Sequence, residues 1–152
     1  MSFSLGSCRR LAGIAALALL SALARGDAAS DIKITDAWIR WLPNDLPGGG
    51  YLTLTNQGSV GYVLTGASSA QFGDIGIHQT RSNHGLTEMA AVASIPLPPH
   101  AVVRFAEGGY HLMMTQPKRS LRPGERVMVT FHMSNGQTVA ASFEVRSRSA
   151  AD

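Results

Sequence analysis

The stretch Glu125-Arg126-Val127-Met128-Val129-Thr130-Phe131-His132-Met133 carries the reading of the fold. Side chains of a strand point to opposite faces in turn. Val127, Val129, Phe131 and Met133 therefore form one apolar face, while Met128, Thr130 and His132 form the other. No helical period fits the same residues. Working outward, Thr138 to Val145 supplies a following segment, and Tyr110 to Met114, Ala101 to Phe105, Leu86 to Val92 and Asp74 to Thr80 precede it. Tyr62-Val63-Leu64-Thr65 and Tyr51-Leu52-Thr53-Leu54-Thr55 lie further back. Before them Ile32-Lys33-Ile34-Thr35 leads into Ala37-Trp38-Ile39-Arg40-Trp41, and Pro43 to Gly50 is a turn-rich break. Turn residues recur about every eight to twelve positions, the mark of an antiparallel β-sandwich or barrel. The expected fold is all-β, with about eight or nine strands.

Composition agrees with one such domain. The chain has 152 residues, 45% of them hydrophobic and only 15% charged, with 16 glycines and 7 prolines. That is too apolar for disorder and rich in turn formers. The first residues read differently from the rest. Arg9 and Arg10 precede an apolar run from Leu11 to Ala24, and Ala22-Leu23-Ala24 offers small residues for cleavage. A bilayer span needs about 20 apolar residues, so this shorter run reads as an export signal, residues 1–24, with cleavage as late as 28. The expected organisation is that signal, a β-domain over 31–146 and a polar tail over 147–152, with no membrane span after processing. The one cysteine, Cys8, lies before the apolar run and cannot carry a lipid there. Whatever function remains is performed without a thiol.

Processing also removes the basic bias. Loss of Arg9 and Arg10 takes the basic residues from 13 to 11 against 10 acidic ones, a net charge of +1, because Arg25 and Asp27 cancel at either cleavage site. The cluster Lys118, Arg119, Arg122 and Arg126 reads as a solvated loop, and nucleic-acid binding has no support.

Chemistry has to be sought among histidine and methionine. In Tyr110-His111-Leu112-Met113-Met114, alternation sends Tyr110, Leu112 and Met114 to the core, leaving His111 and Met113 side by side on the opposite face. A second pair comes from the hairpin across Arg81-Ser82-Asn83-His84-Gly85. A two-residue tip at Asn83-His84 sets His78 directly across from Met89; a three-residue tip with Gly85 in a bulge makes the two diagonal neighbours. The turn alone leaves both registers open. His84 reads as a turn residue and His100, after Pro98-Pro99, as a loop residue. His132 and Met133 project to opposite faces and cannot share an ion.

His78, Met89, His111 and Met113 are spaced H-x10-M-x21-H-x-M. In this motif the chain resembles the periplasmic copper chaperones of the PCuAC type. Ala37-Trp38-Ile39-Arg40, Gly50 to Asn56, Gly66-Ala67-Ser68-Ser69 and Gly108-Gly109-Tyr110-His111-Leu112-Met113 are similar to that family's landmarks, in the same order. The resemblance covers roughly Ile32 to Val145. It departs at Gln79, where some members have Met or Glu, and in a tail without a His- and Met-rich extension. It implies a Greek-key, cupredoxin-like β-sandwich with the four motif residues as metal ligands. It also implies a monomeric periplasmic carrier that passes Cu(I) toward the copper centre of a cytochrome c oxidase, directly or through an assembly partner.

The ligand chemistry is consistent with this. Thioether sulfur is soft and selects Cu(I), while blue copper needs a thiolate and zinc is usually held with Cys or carboxylate. Four neutral ligands favour a monovalent ion over a divalent one. Carrying an ion requires ligand exchange and no bond-making chemistry, so an enzyme is not expected. Acid-base, nucleophilic and phosphate-loop signatures are absent, and neither cleavage site exposes the N-terminal His of a copper monooxygenase. The competing expectations are a metal-free adhesion or assembly module and a copper storage protein.

Overall fold

The computed structural model describes residues 31–42 and 46–147. The expected export signal with Cys8, residues 43–45 of the turn-rich break and residues 148–152 of the tail lie outside the described residues. The strands are β1 (Ile32–Trp41), β2 (Gly48–Asn56), β3 (Tyr62–Ser68), β4 (Phe72–Asn83), β5 (Leu86–Ala91), β6 (Ile95–Leu97), β7 (Val102–Phe105), β8 (Tyr110–Pro117), β9 (Arg126–Met133) and β10 (Thr138–Ser147). The described residues contain no helix, and so none long and apolar enough to cross a membrane. The count is ten where the sequence led to eight or nine. The addition is β6, a three-residue segment with Pro96 at its centre. It pairs with β3 alone, at an edge where a residue without an N–H is tolerated.

The hydrogen-bonded order is β5-β4-β8-β7-β2-β1-β10-β9-β3-β6. Pairing is antiparallel except where β1 lies parallel to β10 and where Phe105 of β7 meets Tyr110 of β8. Strands distant in sequence become neighbours, β10 beside β1 and β9 beside β3, as Greek-key crossovers require. The sheet folds back on itself, so β3 also packs on β4 despite their distance in the order. One core fills the space between. The alternation of β9 is realised as read: Val127, Val129, Phe131 and Met133 are buried, and Phe131 stacks on Phe143 of β10 at 6.1 Å. Each fully buried side chain of this size contributes about 1.5–3 kcal/mol through the area it removes from water.

A bulge in β1 sets up the outer face. Thr35 lies opposite Thr53, yet Trp38 lies opposite Tyr51, so one extra residue is inserted near Asp36, which adopts φ 54°. The insertion reverses the parity of the strand. Ile32 and Ile34 point inward before it and Ile39 after it, which sends Trp38 and Arg40 outward. Near the other end of the sandwich, Asn56 is fully buried. Its Nδ2 donates to the carbonyls of Val60, Leu97 and Pro98 at 2.8, 3.0 and 3.0 Å, and its Oδ1 accepts from the Gly58 amide. This one side chain ties the β2–β3 turn to the segment after β6.

Candidate metal site

The outer face of β5, β4 and β8 gathers the four motif residues. In β8, Leu112 and Met114 are fully buried, so alternation turns His111 and Met113 outward, where both are half-buried. In β4, Ile75 and Ile77 point inward, and Gly76, His78 and Thr80 outward. The register then aligns the two strands, with His78 opposite His111 and Gly76 opposite Met113. The imidazole centroids are 6.0 Å apart with the rings inclined at 35°. A metal–nitrogen bond of about 2 Å places two ring centroids roughly 5 to 6.5 Å apart around a shared ion, a window that includes this spacing.

The hairpin settles the register left open by the sequence. Asn83 pairs with Leu86, so the two-residue tip is His84-Gly85 instead of Asn83-His84. Both tip residues have positive φ, 49° and 82°, as the two central positions of a type I′ turn require. Met89 consequently lies opposite Thr80, and His78 opposite Ala91, which makes Met89 a diagonal neighbour of His78 on the same face. Directly facing His78 and Met89 are thus ruled out. Diagonal neighbours remain within reach of a long side chain. Edge strand β5 leaves Met89 51% exposed, the most accessible of the four.

Two backbone features orient the rings. The Nδ1 of His111 lies 3.2 Å from the Gly109 carbonyl, an acceptor only, so Nδ1–H donates and Nε2 keeps its lone pair for a ligand. The same carbonyl accepts from the Thr80 amide at 3.0 Å, fastening the β7–β8 turn to β4. The His78 ring leans back over Gly76: a Cβ at that position would lie 3.0 Å from Nε2 and 3.2 Å from Cδ2. Since Gly76 is opposite Met113, the tilt carries Nε2 toward that thioether.

Next to these residues is an open cleft of about 350 Å³, lined by Met89, His111 and Met113 and closed on the far side by Arg40, Tyr51 and Glu107. Arg40 is opposite Gly49, and Gly49 is opposite Met113, so a glycine forms the floor between cation and thioether. The Tyr51 hydroxyl covers that floor, 2.8 Å from where a Gly49 Cβ would be. Tyr51 packs against Trp38 (centroids 4.6 Å apart) and under the Arg40 guanidinium (5.6 Å), while Arg40 is ion-paired to Glu107. Burial pushes the Tyr51 phenol above its usual range, against a smaller downward pull from Arg40, so it is neutral at ordinary pH. The sequence offered no role for this wall. Arg40 and Tyr51 stood only as landmarks, and Glu107 carried no signal, because the bulge that brings Arg40 to this face is visible only as a change of parity between Ile34 and Ile39.

The other histidines stay apart from the group. His84 is at the exposed hairpin tip and His100 in a loop with φ 62°. His132 bonds Ser68 Oγ through Nε2 at 2.7 Å, with Met133 buried behind it. No three His, Cys, Asp or Glu residues cluster as an ion site among the described residues. In this arrangement, with Glu107 on Arg40, an ion at the face depends on the thioethers.

Fold and face together define a class: a cupredoxin-like β-sandwich presenting two imidazoles and two thioethers on the outside of one sheet. The model of the LpqE-like family, a name taken from a lipoprotein, matches residues 32–145, and the chain belongs to that family. A relative in Leifsonia xyli subsp. xyli, Lxx21020, is 26% identical over 143 residues, covering 93% of this chain and 86% of the relative. The copper-bound PCuAC domain from PmoF2 superposes with a TM-score of 0.64 at 23% identity, over 77% of this chain and 93% of that domain. The solution structure of CuI-DR1885 from Deinococcus radiodurans gives 0.61 at 23%, over 82% and 83%. At such identities the likeness is one of fold. The PCuAC-type resemblance drawn from the sequence holds.

Proposed function

We propose that this protein is an exported metallochaperone that carries one Cu(I) ion on His78, Met89, His111 and Met113 and releases it by ligand exchange. The observation that carries the reading is the common outer face: two imidazoles 6.0 Å apart, one held with Nε2 free, and two thioethers beside them. Soft sulfur with neutral nitrogen suits Cu(I). Exchange follows from exposure. Met89, half in solvent on an edge strand, leaves first and opens the ion to an incoming ligand, while His111 stays anchored to the Gly109 carbonyl.

Copper bound by PCuAC-fold proteins, including PmoF2 and DR1885, supports copper as the cargo. The destination proposed is the copper centre of a cytochrome c oxidase, reached directly or through an assembly protein, with the chain acting as a monomer in the periplasm after loss of residues 1–24. The family name is that of a lipoprotein, but Cys8 precedes the apolar run, so this chain is exported without a lipid on that residue. The reading is tested by anaerobic competition for Cu(I) with a chromophoric chelator, which should give one ion per chain. Oxidase activity of a deletion strain under copper limitation tests the destination; unchanged activity there would contradict delivery.

A further inference from the structure

The cleft beside the four residues contains one anionic side chain, Glu107, and one cationic one, Arg40. Glu107 belongs to the turn closed by the Gly109 amide on the Ala106 carbonyl at 3.0 Å, with Gly108 at φ 76°. The carbonyl of Gly109 in that same turn holds the His111 imidazole. The carboxylate is therefore tied, two residues away, to the backbone group that aims Nε2, and it opens on the same cleft. Its hold on Arg40 is light. The pair is partly exposed, 33% and 58%, and uses Nη1 alone, leaving the Arg40 Nε buried without a hydrogen-bond partner among the described residues. An ion pair this accessible holds its two partners only weakly against solvent.

Resting on the copper reading above, we infer that Glu107 is a conditional ligand, turning from Arg40 onto the ion when that ion is Cu(II). Cu(I) is served by the thioethers and has no need of a carboxylate. Cu(II) prefers nitrogen and oxygen donors, and a carboxylate offsets its second charge. His78, His111 and Glu107 then form the harder set, with the thioethers relaxed. Arg40 acts as the resting place of the carboxylate, and its stacking on Tyr51 keeps the guanidinium in position when Glu107 leaves. One site would then accept either oxidation state through different donors.

The test uses the full-length processed protein as wild type, Glu107→Gln, Arg40→Met and the double variant. Each is titrated with a Cu(II) salt against glycine as competitor and examined by electron paramagnetic resonance, and in parallel with Cu(I) anaerobically. Glu107→Gln should weaken Cu(II) binding by about tenfold or more and alter the parallel hyperfine splitting, with Cu(I) affinity changed by less than about threefold. Arg40→Met should strengthen Cu(II) binding only while Glu107 is present. Normal Cu(I) binding with an unaltered Cu(II) spectrum in Glu107→Gln would overturn the inference alone. So would an equal loss for both ions, or a gain from Arg40→Met that persists in the double variant. Failure of the wild type to bind Cu(I) would overturn the carrier reading and this inference with it.

Discussion

Substitution of Gly76 by alanine should move stability and copper binding in opposite directions. Gly76 is within β4 on the outer face, at a backbone conformation that other residues adopt, and its new Cβ would meet only the tip of the His78 ring, 3.0 Å from Nε2 and 3.2 Å from Cδ2. Ordinary contact needs a few tenths of an ångström more. Without metal the half-exposed ring swings outward at little cost. The loss of glycine from the unfolded ensemble then stabilises the apo protein by about 0.4–1 kcal/mol. With metal the ring has no such freedom, because Nε2 must point back toward Met113. Holding His78 some 30° from its preferred rotamer costs about 0.5–1.5 kcal/mol, which corresponds to roughly 2- to 12-fold in affinity. Denaturant unfolding of the apo protein and Cu(I) competition against a chelator measure the two quantities separately. Equal Cu(I) affinity for wild type and variant would refute the ring position, and a loss of apo stability above about 1 kcal/mol would refute the claim that the contact is with a movable side chain.

Two further outcomes follow from the same geometry. Asn56→Ala removes the donor shared by three carbonyls and the acceptor of the Gly58 amide, so thermal unfolding should show a loss of about 2–4 kcal/mol with copper affinity little changed, the site being at the other end of β2. Tyr51 and Tyr62 both titrate above the ordinary tyrosine range, the first mainly through burial and the second mainly through its hydrogen bond to Asp31. A raised folded value means that their contribution is complete below the unfolded value of about 10 and is lost as pH rises through the folded one. Phenolate absorbance should therefore lag behind that of a free tyrosine, and stability should fall on the alkaline side; titration of every tyrosine near 10 would contradict this.

Much of this was legible in the chain because period-2 alternation is a local property. In β8 and β9 it identified both faces, and it separated His132 from Met133 correctly. The strand count fell short at β6, where Pro96 and a length of three residues leave no alternation to read. The register of the β4–β5 hairpin was undecided for a different reason: Asn83, His84 and Gly85 all tolerate positive φ, and only the paired structure shows that His84 and Gly85 adopt it. The wall of the cleft was the least visible. Arg40 reaches it through a bulge in β1 and Glu107 through a turn in another part of the chain. Such placements depend on long-range pairing, to which no single segment is committed.

The central claim, that thioethers and imidazoles of one face hold Cu(I), is tested most directly by comparing wild type with Met113→Ala in anaerobic chelator competition. Met113 is half-buried on the outer face and outside the core cluster, so the variant should fold as the wild type does. The wild-type chain should bind one Cu(I), and the variant should lose about tenfold or more in affinity. Equal retention of copper by the two proteins would contradict it.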